Sequence, residues 1–216
     1  MFIEISRYLY YMYLIKTPWW LRVLYPSLIW KMPTEGKKIY LTFDDGPHAQ
    51  ATSFVLDQLA AFQAKATFFC IGKNVEQEPE LYQRIISEGH TVGNHTHHHI
   101  NGWKSDTQGY LDDVMDASVH INSHLFRPPY GRITRKQIKV LQEREMKIIM
   151  WDVLSADFDT RLTGEACAAY VMYHAQPGSI VLFHDSAKAW DRMSFALPLV
   201  LRHLKAEGYE FAPLEL

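Results

Sequence analysis

The segment KIYLTFDDGP, residues 38–47, runs from an apolar stretch directly into two acids and a turn. Its apolar part lacks strict alternation of apolar and polar residues, which is typical of a strand buried on both faces of a parallel sheet. Six further segments share this character: ATFFCI (66–71), HTVGN (90–94), HLFRP (124–128), KIIMW (147–151), SIVLF (179–183) and GYEFA (208–212).

Runs with helical spacing separate these strands, at 52–63, 78–88, 106–122, 134–145, 163–175 and 194–207. Strands that alternate with helices predict an α/β fold, either a barrel or a doubly wound parallel sheet. In both architectures the chemistry lies at the carboxyl ends of the strands. The chain of 216 residues suits one domain, which we assign to 38–216, with an N-terminal aromatic segment, 1–37, packed on it.

Composition narrows the functional class. A net charge of -2 argues against nucleic-acid binding, which needs a basic face. The 48% hydrophobic and 21% charged content is that of a globular protein. The two cysteines, Cys70 and Cys167, lie in apolar and helical runs, and we expect both to be buried free thiols.

The N-terminal segment is apolar but short. Its longest uncharged run, 8–15, cannot span a bilayer, and Glu4 disfavours a signal peptide. We therefore expect no transmembrane segment and a location in the cytoplasm, with an exported protein as an alternative. We also expect a monomer. A further alternative is a peripheral anchor at a membrane surface, formed by Trp19, Trp20, Arg22 and Tyr25.

Asp44 and Asp45 end the first predicted strand. Two carboxylates at close quarters repel, so ionising both requires a cation nearby. The turn at Gly46-Pro47 lets both side chains reach one cavity, whereas regular pleating would separate them. The alternative is a turn in which an Asp caps the next helix. The apolar strand that leads into the pair favours a buried functional site.

The cluster HTHHH, residues 95–99, follows the third predicted strand. On a helical turn His95 and His99 would face the same way and share one metal ion. Two imidazoles and one carboxylate leave open positions for water and substrate, which is typical of a hydrolytic metal site. We expect His97 and His98 to support these ligands or to face solvent.

Two further strand ends carry candidate catalytic groups. In RPPYG (127–131), a buried Arg127 would need an acid partner, and the prolines fix the backbone so that the Tyr130 N–H can donate toward developing charge. The alternative is a proline turn with a surface arginine. His184 follows an apolar strand and is a candidate acid or base, or a capping residue. The acids that compete to orient it are Asp152, Asp157 and Asp159.

Five segments, TFDDGP, HTHHH, RPPYG, WDVLSADF and LFH, resemble in order the motifs of the polysaccharide deacetylase family (NodB-homology domain, carbohydrate esterase family four). The resemblance implies a distorted seven-stranded (β/α) barrel. It also implies a divalent cation, commonly zinc, with cobalt, nickel or manganese as alternatives. The implied metal ligands are Asp45, His95 and His99.

The resemblance also implies catalytic roles. Asp44 would be the general base and His184 the general acid. Arg127 would hold Asp44, Asp157 would hold His184, and the Tyr130 N–H would help to stabilise an oxyanion. The fourth motif departs from the family pattern, with Leu154 in place of an acid and Phe158 in place of tryptophan. That departure makes Asp157 the better partner for His184 and puts the shape of the sugar groove in doubt.

The implied function is a metal-dependent hydrolase that removes N-acetyl groups from an amino-sugar glycan, peptidoglycan-like or chitin-like. The alternatives are an O-acetyl esterase of the xylan type, an amidohydrolase for a small cyclic amide, and a non-catalytic glycan-binding module. For sugar stacking Trp103, just beyond the histidine cluster, is favoured over Trp151, for which core packing is expected. The predicted substrate contacts are Pro129, Tyr130, Trp103 and Leu182.

Overall fold

The computed structural model describes residues 13–33 and 36–216 of the chain. The strands are β1 (Lys38–Asp44), β2 (Thr67–Cys70), β3 (Thr91–Asn94), β4 (Leu125–Phe126), β5 (Lys147–Ile148), β6 (Val153–Leu154), β7 (Ile180–His184) and β8 (Glu210–Phe211). The helices are α1 (Trp19–Leu24), α2 (Ala49–Ala61), α3 (Gly72–Gln77), α4 (Pro79–Ser87), α5 (Thr107–Ser118), α6 (Arg135–Gln142), α7 (Gly164–His174) and α8 (Trp190–Ala206). A 3-10 turn covers Pro129–Gly131. Among the residues so described, every helix falls short of the length and apolar character that a membrane span requires.

Seven strands form one parallel sheet in the order β5-β4-β3-β2-β1-β7-β6, and β8 pairs only with the start of β1. The predicted distorted seven-stranded (β/α) barrel is confirmed. The register sets the carboxyl ends of the strands at one rim, because Asp44 of β1 lies beside His184 of β7. On the other side of β1, Asn94 of β3 pairs with Phe126 of β4, which places the following residue, Arg127, at the same rim.

Strand β1 is buried on both faces. Phe43 stacks between Phe68 and Phe183, with ring centroids 5.1 Å and 6.1 Å away, and faces the helices α2 and α8. Thr42 and Asp44 point to the opposite, inner face, because side chains alternate along a strand. The same strand therefore builds the hydrophobic core with one face and the polar floor of the barrel with the other.

The described part of the N-terminal segment pairs with both edges of the sheet. Lys16 forms an antiparallel bridge to Val153 of β6, and Ile29 forms a parallel bridge to Ile149 just after β5. These contacts satisfy backbone groups that an open edge would leave unpaired. Helix α1, between the two bridges, leaves 76% of Trp19 exposed. Residues 1–12 of the predicted segment lie outside the described residues.

Three features differ from the sequence-based expectation. The predicted strand 147–151 ends at Ile148, and the additional strand β6 follows it. That two-residue strand was missed because the polar residues Asp152 and Ser155 flank it closely. Helix α3 was also missed, because it is one and a half turns long and Val75 is its only buried apolar side chain. Cys70 and Cys167 are buried free thiols, as expected.

Candidate active site

The turn after β1 carries the two acids. Asp45 adopts a left-handed conformation with φ of 80°, which redirects the chain so that its side chain and that of Asp44 line the same cavity. The turn is fixed from behind by Asp185, whose carboxylate accepts hydrogen bonds from the Gly46 N–H at 3.1 Å and from the Thr52 hydroxyl at 2.5 Å. A Cβ at position 46 would overlap the Asp185 carboxylate, so glycine is required there.

Asp45, His95 and His99 form one cluster. Their ligand atoms all lie within 4.8 Å of one another. Oδ1 of Asp45 is 3.2 Å from Nε2 of His99 and 3.7 Å from Nε2 of His95. Burial would raise the pKa of Asp45, but His99 and the other nearby imidazoles lower it below its usual range. The three groups are arranged as ligands around a common point.

The helical turn expected for the two imidazoles is wrong. Residues 95–99 form a loop in which Thr96 and His99 have φ of 65° and 56°. Asn94 holds this loop, because its Oδ1 accepts from the Thr96 N–H at 2.8 Å. The imidazoles of His95 and His99 still lie close, with ring centroids 5.1 Å apart. Left-handed residues thus replace helical spacing as the reason that both histidines face one cavity.

The cluster has the chemistry of a metal site. Nδ1 of His95 lies 2.7 Å from the Arg127 carbonyl, which directs the remaining lone pair, on Nε2, toward the cavity. Oδ1 of Asp45 is buried and lacks a hydrogen-bond partner among the described residues. A buried carboxylate oxygen without a donor is costly. Two imidazole nitrogens and one bare carboxylate oxygen fit a divalent cation such as zinc.

Asp44 has a different environment from Asp45. Arg127 is fully buried and donates from Nη1 to Oδ1 of Asp44 at 2.7 Å and to the Thr42 hydroxyl at 2.8 Å. The guanidinium also donates to two backbone carbonyls and lies 4.1 Å from the Phe69 ring centroid. Burial lowers the pKa of Arg127, and Asp44 opposes that shift. The second carboxylate oxygen, Oδ2, lies 3.7 Å from Nε2 of His95 and faces the cluster.

His184 lies across the cavity and is clamped by Asp157. Oδ1 of Asp157 is 2.7 Å from Nδ1 of the imidazole, and Oδ2 accepts the His184 backbone N–H at 2.8 Å. Arg192 in turn donates to the Asp157 carbonyl at 2.6 Å. Burial alone would lower the pKa of His184, but the Asp157 carboxylate raises it to about 9. Nε2 is the nitrogen left for the cavity. Of the acids that competed for this place, Asp152 instead pairs with Lys16, and Asp159 with Arg161.

Comparison with known proteins gives the family. The chain matches the family model described as polysaccharide deacetylase over residues 31–149. It is 35% identical over 188 residues to a peptidoglycan-N-acetylglucosamine deacetylase of Bacillus cereus, which covers 84% of this chain and 88% of the relative. The chain belongs to the polysaccharide deacetylase family.

One further relative and one solved structure are also similar to this chain. A chitooligosaccharide deacetylase of Bradyrhizobium sp. is 33% identical over 197 residues, covering 82% of this chain and 89% of the relative. A solved structure of a peptidoglycan N-acetylglucosamine deacetylase, bound to 4-naphthalen-1-yl-N-oxidanyl-benzamide, matches with a TM-score of 0.82 at 31% identity. That match covers 87% of this chain and 91% of the solved chain.

The cavity at the rim has a volume of about 880 Å³. Asp44, Asp45, His95, His99 and His184 lie together in its wall. It is also lined by Tyr13, Asn101, Lys104, Tyr130, Gly131, Arg132, Trp151, Leu154, Phe158, Leu182 and Lys188. The structure therefore brings the predicted base, acid and metal ligands to one cavity, while Arg127 and Asp157 support them from behind.

Of the four predicted substrate contacts, two line the cavity and two do not. Tyr130 and Leu182 line the cavity. Tyr130 has φ of 60°, and no acceptor for its backbone N–H is found in the described part of the chain. Pro129 is buried, is absent from the cavity lining, and serves to fix that turn.

The preference for Trp103 over Trp151 needs correction. Trp103 is 63% exposed and lies outside the cavity lining. Its indole N–H is occupied by the Ile133 carbonyl at 3.1 Å, and the Arg132 guanidinium covers its ring. Trp151 lines the cavity instead, at a position beyond the end of β5.

Proposed function

We propose that this chain is a divalent-metal-dependent deacetylase that removes N-acetyl groups from amino sugars of a peptidoglycan-type glycan. The observation that carries the proposal is that two adjacent acids have different environments. Asp45 presents a buried, unpartnered oxygen to two imidazoles, whereas Asp44 is held by Arg127. One acid is suited to a cation and the other to proton transfer.

Zinc is the cation that we propose, because two imidazoles and a carboxylate with open positions are typical of catalytic zinc. Asp45, His95 and His99 would hold it. Further support comes from the ligand of the solved relative, an N-oxidanyl amide, since the two oxygens of such a group form a chelating pair. A bound divalent cation supplies Lewis-acid polarisation of water and of the acetyl carbonyl.

Asp44 acts as the base in this scheme. Because Oδ1 is occupied by Arg127, Oδ2 is the atom that accepts the proton of the attacking water. The Tyr130 N–H, which has no acceptor among the described residues, donates to the acetyl oxygen as negative charge develops. A donor of this kind contributes about 3 kcal/mol to transition-state stabilisation.

His184 acts as the acid. Nδ1 faces Asp157, so Nε2 is the nitrogen that gives its proton to the departing sugar nitrogen, and acetate is released. The raised pKa of about 9 keeps the imidazole protonated at neutral pH. Asp157 therefore both orients the ring and holds the proton that the reaction consumes.

The base assignment is tested with Asp44→Asn in the full chain. Acetate release from N-acetylated glycan fragments should fall by at least about 100-fold, the typical contribution of a positioned base. Bound metal should stay at the wild-type level, because Asp45 and both histidines are unchanged. An Asp44→Asn protein that keeps most of its turnover would show that another group takes the proton.

The cavity favours an anionic glycan over a neutral one. Lys104, Arg132 and Lys188 line it, and the described residues provide no carboxylate in ion-pair contact with them. Peptidoglycan carries free carboxylates on its stem peptides, whereas chitooligosaccharides are uncharged. Three cations that lack a carboxylate partner among the described residues complement the charged polymer. The open volume of about 880 Å³ also suits a sugar chain better than a small cyclic amide.

Acetate release from a substrate panel separates these activities. Peptidoglycan fragments, chitooligosaccharides, O-acetylated xylan and small amides should rank in that order, with peptidoglycan fragments turned over best. Equal or faster release from xylan would favour the esterase. Absence of release from every substrate by a metal-loaded protein would favour a glycan-binding module.

A polymeric peptidoglycan substrate bears on location. It requires contact with the cell wall, so this proposal replaces the cytoplasmic expectation with an exported or surface-associated enzyme. We retain the monomer as a prediction, which sedimentation of the purified chain tests.

A further inference from the structure

A second cluster of metal-ligating side chains lies outside the catalytic cavity. It consists of Glu76 on α3, His97 on the loop after β3, and His120 just beyond α5, whose ligand atoms all lie within 4.8 Å of one another. None of the three lines the catalytic cavity, and none takes part in the deacetylation scheme. We propose that this cluster binds a second zinc ion.

Backbone contacts join the elements that carry these residues. The His97 N–H donates to the Asp113 carbonyl at 3.0 Å and to its Oδ2 at 2.9 Å, and the His97 carbonyl accepts from Lys73 at 3.2 Å. The His120 N–H donates to the Ala117 carbonyl at 3.1 Å. Because the elements that carry the ligands are already joined, little conformational freedom would be lost when an ion binds.

The side chains are oriented toward one another. Nε2 of His120 is 2.7 Å from Oε1 of Glu76, and the imidazoles of His97 and His120 have centroids 5.8 Å apart. Two imidazoles and one carboxylate, with the remaining positions left to water, form a recognised zinc donor set. Side-chain exposure of 46% for Glu76 and 30% for His120 gives an ion access from solvent.

His97 supplies an independent observation. Its Nδ1 is buried and has no hydrogen-bond partner among the described residues. The ring packs closely on α3, since a Cβ at Gly72 would lie 2.6 Å from Nδ1. A simple ion pair between Glu76 and His120 would not explain why a third imidazole, with an unpartnered Nδ1, is held beside it. A shared cation makes use of all three side chains.

The place of the cluster suggests what the second ion does. His97 lies on the same short loop as His95 and His99, so an ion bound there ties this loop to α3 and α5. We therefore expect the second ion to stabilise the loop that supplies both catalytic imidazoles, while acetate release does not require it.

Zinc titration of the metal-free full chain tests the site, by calorimetry together with metal analysis after dialysis against micromolar free zinc. Wild type should bind two ions per chain. Glu76→Gln and His120→Ala should each bind one, keep the wild-type circular dichroism spectrum, and still release acetate. His124→Ala, which removes an exposed histidine outside both clusters, should still bind two.

The His95→Ala background makes the result independent of the proposed function. In that variant one ion should remain, and His120→Ala added to it should remove that ion. If the catalytic cluster bound no zinc, wild type would bind one ion and His120→Ala alone none, which would still support the second site. Equal zinc content in wild type, Glu76→Gln and His120→Ala would overturn it. So would an equal loss in His124→Ala.

Discussion

Asp157→Asn removes the charge that keeps His184 protonated. In the wild-type chain burial lowers the pKa of this imidazole, while Asp157 and, to a smaller extent, Asp45 and Asp44 raise it from 6.5 to about 9. That difference corresponds to about 3 kcal/mol in favour of the imidazolium form. Asparagine can still accept a hydrogen bond from Nδ1, so the ring keeps its orientation while its pKa falls. A fall of about two pH units in the pKa would lower the protonated fraction at pH 8.5 on the order of 25-fold.

The assay is the turnover number for acetate release between about pH 6 and pH 10. Because the protonated imidazole is the acid, turnover is retained below its pKa and lost as the pH rises through it. In wild type, turnover should fall on the alkaline side at or below pH 9, since a bound cation repels the proton. In Asp157→Asn this alkaline limb of the pH profile should lie about two pH units lower.

The neighbouring acid provides a matched control. Asp159→Asn alters a carboxylate that pairs with Arg161 and should leave the alkaline limb in place. Metal content should equal that of wild type in both variants. If Asp157→Asn and wild type lost activity at the same pH, His184 would not be the acid whose proton Asp157 holds.

Three further predictions concern the frame of the site and its substrate. Arg127→Met leaves the buried Asp44 carboxylate without its partner, so urea titration should show a free energy of unfolding lower by about 3–5 kcal/mol. The control Arg144→Met, at an exposed position, should change it little, and equal urea midpoints for the two variants would contradict the ion pair. Gly46→Ala pushes the turn against Asp185, so it should lower the free energy of unfolding by about 1–3 kcal/mol and weaken zinc binding in calorimetry. An unchanged affinity for zinc would show that this turn does not position Asp45. The double variant Lys104→Gln, Lys188→Gln should raise KM for peptidoglycan fragments by about 3- to 10-fold but leave KM for chitooligosaccharides unchanged. Lys136→Gln is the control, and a parallel rise in KM for both substrates would argue against recognition of charge.

The sequence predicted the centre of the site because its signals are local. Asp44 and Asp45 follow an apolar strand at once, and His95 and His99 are separated by three residues. Their approach thus depends on one turn and one loop at the carboxyl ends of parallel strands. The structure brings them to one cavity although the loop is left-handed and not helical.

The rest of the cavity wall could not be predicted in this way. Trp151 lines the cavity and lies beyond the end of the fifth strand. An apolar run of five residues gives no sign of where a strand stops. Lys104 and Lys188 lie on loops about 80 positions apart in the chain. Their approach depends on the order of strands in the sheet, which periodicity does not encode. A lysine near a strand end is ordinarily a solvated surface residue.

The most direct test of the central claim is metal content measured together with acetate release in the same preparations of wild type, His95→Ala and His120→Ala. Metal-stripped wild type should be inactive and should recover when zinc is added. His95→Ala should stay inactive at the same free zinc, whereas His120→Ala should recover as wild type does. Full acetate release from metal-stripped wild type, or from His95→Ala, would contradict a mechanism that depends on a cation at Asp45, His95 and His99.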